Sequence, residues 1–201
     1  MHREPTGFVR FATSAFIAIA LSTPNPAMTS AASPDVSVTD IMQSVFANRV
    51  RDGGFWRQDN EAFEKDADVP RYWMQVWRNG PGGEVVIVDA YEVKANNTCF
   101  ALLHMVYSYD REEGRIQSNA YGANGLFGHG VVELEGTVTS SEITLQLPGG
   151  GERRMRDRQD QWASEAVVVE TETWDGTAWV PGEPTTWHRS AEGPECQVAD
   201  Q

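Results

Sequence analysis

Between Tyr72 and Ser190 apolar and polar residues alternate in short runs, and Gly-, Asn- and Asp-rich turns separate the runs. Period-two alternation bounded by turn residues marks β-strands, and helical spacing is almost absent from this stretch. The pattern predicts strands near Tyr72–Arg78, Glu84–Val93, Thr98–Tyr109, Arg115–Tyr121, Gly130–Val138, Glu142–Leu147, Arg153–Arg158, Ala166–Trp174, Ala178–Val180 and Thr185–Arg189. Turns fall between them, and the Asp175-Gly176 pair supplies the positive φ that a tight type I′ hairpin needs. Phe55 and Trp56 can open a further strand; the rest of 54–69 reads as loop or as a turn of helix.

Alternation also says which faces are covered. In Glu142–Leu147 the residues Ile143, Leu145 and Leu147 share one face while Glu142, Thr144 and Gln146 share the other, so this strand is half exposed. Thr98–Tyr109 is apolar on both sides, with Phe100, Leu102 and Val106 on one and Ala101, Leu103, Met105 and Tyr107 on the other. One face is expected in the core and the other under a helix. That helix is supplied by Ile41, Met42, Val45, Phe46 and Val50, which fall on one stripe. Ser37-Val38-Thr39-Asp40 offers its N-cap and Gly53-Gly54 its stop.

About ten sequential antiparallel strands rarely remain an open sheet, because closure removes sticky edges. The expected fold class is therefore all-β: an antiparallel up-and-down meander closing into a barrel, with one N-terminal helix packed on it. A two-sheet sandwich is the rival. Before this domain, Met1–Arg10 carries Arg3 and Arg10, Phe11–Leu21 is a short apolar run, and 22–32 is rich in small residues and Pro. That is the order of a secretory signal peptide, and the run is too short to span a membrane. Residues 1–32 are expected to be removed after Ala27, Ala31 or Ala32, leaving 33–201 as a single domain, secreted or periplasmic, with no membrane span.

Charge and cysteines narrow the picture. A net charge of −13, from 29 acidic and 16 basic residues, argues against nucleic acid and anionic lipid as partners. Cys99 and Cys196 are the only cysteines. In an exported chain they are expected to form a disulfide tying the C-terminal tail to the sheet.

The order of features resembles the exported lipocalin-like, or calycin-like, domains of bacteria. The resemblance rests on Tyr72-Trp73-Met74-Gln75-Val76-Trp77, a Tyr109-Asp110 to Gly114 hairpin, the Gly-rich connection Tyr121–Gly130, and the pair Trp174-Asp175-Gly176 and Trp187-His188-Arg189. It spans roughly 55–189. It implies a closed or half-closed, lipocalin-like barrel, and a small apolar ligand more often than a reaction.

Candidate chemistry is sparse. His104 sits among apolar residues, as a pocket polar group or a core histidine. The Gly-rich segment 119–130 reads either as a mouth loop presenting Tyr121, Asn124 and His129 to a ligand, or as a long hairpin connection. Trp77 and Trp187, with Trp73, Trp174 and Trp179, either wall a pocket or fill the core. Arg154, Arg156 and Arg158 share a strand face; turned inward they could clamp an anion, turned outward they pair with Glu170 and Glu172. No histidine pair has metal-ligand spacing, no nucleophile elbow exists, and the pattern names no cofactor and no catalytic residue. The leading expectation is an extracytoplasmic binder of a small lipophilic ligand, with His104, Tyr121, Asn124, His129, Trp77 and Trp187 around it. The alternatives are an enzyme with a His/Tyr/Arg site and a structural or interaction domain with a filled core.

Overall fold

The computed structural model describes residues 36–63, 69–194 and 197–198. The expected signal peptide, residues 64–68 and Cys196 lie outside them. Helix α1 (Val38–Val50) starts where Ser37 is extended and its hydroxyl accepts the Asp40 N–H at 3.1 Å. It stops because Asp52 (φ 56°), Gly53 (φ 85°) and Gly54 (φ 69°) turn the chain through left-handed backbone. At Gly54 a side chain is also excluded by space, since a Cβ would lie 1.9 Å from the Trp77 carbonyl oxygen.

The strands are β1 (Phe55–Asp59), β2 (Tyr72–Asn79), β3 (Val85–Val93), β4 (Thr98–Asp110), β5 (Arg115–Gly122) and β6 (Phe127–Glu135). They continue with β7 (Val138–Gln146), β8 (Glu152–Asp160), β9 (Ala166–Trp174), β10 (Trp179–Pro181), β11 (Thr185–Arg189) and β12 (Gln197–Val198). Strands β1 to β9 pair antiparallel in sequence order, β9 then pairs with β11, and β11 with β1. The result is a closed barrel of 10 strands. Strand β10 pairs with β9 alongside β11, and β12 lies parallel to β4, with Val198 opposite Cys99. The strand that seals the ring is β1, the stretch whose sequence pattern was ambiguous.

Alternation assigns the inner face. Trp56 and Gln58 of β1, Trp73, Gln75 and Trp77 of β2, Leu103, Met105 and Tyr107 of β4 and Trp187 of β11 point inward. Helix α1 does not lie on the outside of β4, as expected, but plugs one end of the barrel. Val38, Met42, Val45 and Phe46 join Trp56, Trp77, Val86, Val88, Tyr107, Ile116, Val132 and Val167 in one buried cluster. Asn48 holds the plug in place by donating to the Gln161 carbonyl at 3.1 Å, and Gln161 donates to Thr139 at 2.8 Å. The outer face of β4 carries His104 and Val106, opposite Asp89 and Ile87 of β3.

Two further expectations resolve. The Gly-rich segment is a hairpin: Tyr121 pairs with Phe127 and Asn119 with His129, joined by one short turn at Ala123–Gly125. The Trp174–Trp179 hairpin forms, but through the longer turn 175–178, in which the Asp175 carboxylate accepts the N–H groups of Thr177 and Ala178. Among the described residues no helix is long and apolar enough to cross a membrane.

Candidate functional site

The end of the barrel opposite α1 is hollow. A cavity of about 360 Å³ opens there between Trp73 and Trp187, with Gln58, Gln75, Ala90 and Leu103 around it. Its walls follow from register. Gln58 pairs with Trp73, and Gln75 pairs with Ala90, which pairs with Leu103. Small Ala90 leaves room that a larger inward residue would fill. Register also shifts at this point: Ala90 faces Leu103 while Tyr91 faces Ala101, so Leu102 is an extra residue in β4. A bulge bends its strand and loosens the ladder locally, and Ala90, Tyr91, Leu102 and Leu103 at the step line the cavity.

The chemistry of the cavity is aromatic with two amides. Gln75 accepts the Trp77 indole N–H through Oε1 at 2.9 Å, so its amide NH₂ is the group it can offer to a ligand. Gln58 adds a second donor–acceptor pair. No charged side chain lines the space, which suits an apolar molecule carrying one or two hydrogen-bonding atoms.

The residues picked out by sequence are dispersed. Trp187 lines the cavity. Trp77 does not: it is 3 % exposed and stacks on Tyr107 with centroids 5.8 Å apart, in the core beside α1. His104, Tyr121 and His129 lie together on the outer face, away from the cavity. His104 Nδ1 meets Asp89 at 2.6 Å, its ring centroid is 6.3 Å from that of Tyr121, and Phe127 stands between Tyr121 and His129. Burial pushes the Asp89 carboxyl up, but hydrogen bonds from Arg78 and His104 outweigh it and hold the group below its ordinary range. Asn124 belongs to the short turn after β5, and its side chain is outside the described atoms.

The arginine row faces outward. Arg156 pairs with Glu172, and Arg158 with Glu170 at 3.7 Å. Arg154 pairs instead with Glu142 on the other neighbouring strand at 2.6 Å. Arg156, Arg158, Glu142, Glu170 and Glu172, with His129, border an outer groove of about 880 Å³. Neither the groove nor the inner cavity is lined by His104 or Tyr121, so the Asp89–His104 contact sits on an open surface. No cluster of three or more metal-ligating side chains occurs among the described residues.

Sequence reasoning missed Gln58 and Gln75, whose amides look like ordinary strand polarity until register turns them inward. It also missed Arg49 and Arg189, which flank Trp56 at 4.3 and 4.4 Å from its ring. The available signal was Gly54-Phe55-Trp56, a glycine forced by close approach to Trp77 and followed by an inward tryptophan. Compared with known proteins, the chain matches no family model and no curated sequence.

Proposed function

We propose that this chain is an exported binding protein for a small lipophilic molecule held at the open end of the barrel. The observation that carries this reading is the cavity of about 360 Å³ between Trp73 and Trp187. Ligand pockets begin at roughly 300 Å³ and are walled by aromatic groups with few polar ones. Export rests on the leader-like order of residues 1–32. The lipocalin-like resemblance supports both. In that setting Cys99, fully buried beside Tyr72, Met74 and Val93, pairs with Cys196; peptide mapping without reductant tests the link.

Titration of intrinsic tryptophan fluorescence with a panel of neutral lipophiles tests the proposal. At least one should quench the signal saturably in the wild type and lose affinity in Trp187→Ala, while His104→Ala binds normally. No saturable quenching by any of them, or equal quenching in Trp187→Ala, would refute it. The filled-core alternative then stands.

A further inference from the structure

Arg49 is the least expected group in the molecule. Its side chain is 0 % exposed and lies in the plugged end of the barrel, 4.3 Å from the Trp56 ring and 4.7 Å from the Trp77 ring. Nη2 donates to Gln159 Oε1 at 3.0 Å, while Nε and Nη1 are buried with no acceptor among the described atoms. Arg189 stacks on the same Trp56 and donates to the carbonyls of Asn48, Arg51 and Ser164, at 2.7, 3.1 and 2.7 Å. Among the described residues neither guanidinium has a carboxylate within ion-pair distance. Two positive charges therefore share one end of a chain whose net charge is −13.

Burying an unpaired charge is strongly unfavourable, and aromatic faces offset only part of the loss. Burial lowers the Arg49 guanidinium to about 9, with Tyr107 pulling it up and Arg189 pushing it down further. No ion pair joins it to the buried acid Asp157. Asp157 bonds the Thr171 hydroxyl at 2.6 Å, and burial raises its carboxyl, favouring the uncharged form. Further donors are also poorly matched nearby. The Tyr107 hydroxyl reaches only the Met105 sulfur at 4.0 Å, and the buried Ser118 hydroxyl, at the register position opposite Tyr107, has no partner. The plugged end thus holds unpaired donors and positive charge, and the buried Gln161 Oε1 there also lacks a partner among the described atoms. Water would supply acceptors and leave the charge unbalanced, whereas an anion supplies both.

We propose that the plugged end of the barrel holds one buried monovalent anion of halide size against the guanidinium of Arg49. The site is independent of the open-end cavity and needs nothing of a ligand there. The anion locks α1 into the barrel, since Arg49 lies in the last turn of the helix and its counter-charge sits among the strands.

The test compares unfolding of the mature protein in sodium chloride and in sodium gluconate at equal ionic strength. The wild type should be more stable in chloride, with its folding equilibrium constant raised about tenfold when chloride reaches ten times its Kd. Arg49→Met, which keeps a slim apolar stem between the two indoles, should respond equally to both salts. Should that variant not fold, crystals of the wild type grown in sodium bromide decide: an anomalous peak within hydrogen-bond distance of Arg49 Nε or Nη1 supports the site. Equal wild-type stability in the two salts, or bromide peaks confined to the surface, overturns it.

Discussion

Two tryptophans on one inward row of β2 meet opposite ends of the barrel. Trp77 is locked between Phe46, Tyr107 and the Arg49 guanidinium and is 3 % exposed. Trp73, four residues earlier on the same face, stands at the wall of a cavity. The difference lies outside β2. Helix α1 brings Val38, Met42, Val45 and Phe46 into one end, and no element among the described residues does so at the other. A barrel of this size has more interior than its own side chains fill. Where the one helix goes therefore decides which end is structural and which is available for binding.

The largest expected effect is at the plugged end. Trp56 is fully buried and carries a guanidinium on each side, so Trp56→Ala should destabilise the fold by about 3–5 kcal/mol, the usual range for deleting a core aromatic. The guanidinium chloride midpoint reads this directly. Trp187→Ala at the open end should act the other way round. It should weaken binding of a quenching lipophile roughly tenfold or more, about 1.4 kcal/mol, and move the midpoint far less than Trp56→Ala. Reversal of these two outcomes would dissolve the distinction between the ends.

Asp157 sharpens the comparison through pH. Burial raises its carboxyl above the ordinary range, and the Thr171 hydrogen bond only partly opposes this. The folded state then holds the proton more tightly than the unfolded state, so ionised Asp157 weakens the fold at neutral pH and the penalty disappears in acid. Asp157→Asn should accordingly be more stable than wild type at pH 7. The gain should shrink to nothing as pH falls below about 4, where wild-type Asp157 is protonated in both states. Denaturant melts of the two proteins across this range check the sign. At the bottom of the scale, Glu170→Gln removes the partner of Arg158 from an exposed pair at 3.7 Å. Its midpoint should match wild type at physiological salt, because such pairs are screened.

The strand ladder and its closure were readable because turn residues and period-two alternation are local signals. So was the outward arginine row, since Arg156 and Arg158 share a face opposite Glu172 and Glu170. The site was harder to read. His104 stood out because its neighbours are apolar, yet alternation alone does not say which apolar face is inside. On β4 His104 and Val106 share the outer face, and the extra residue at Leu102 returns Phe100 to the inward row beyond it. The cavity depends on register between strands: an Ala90–Leu103 step, an extra residue at Leu102, and Gln58 and Gln75 turned inward. None of these is visible within a single strand. The Arg49 position was hidden for a related reason, since a basic residue in the last turn of a helix reads as an ordinary solvated end.

The central claim is that the open end is hollow in order to hold a small molecule. Native mass spectrometry of the protein isolated from the cells that make it, run beside Trp187→Ala, tests it most directly. The account predicts a retained small molecule on the wild type, released as a neutral lipophile on activation and absent or depleted on the variant. Wild-type protein that flies at its bare mass, and still does so after incubation with the lipophile panel, would contradict it.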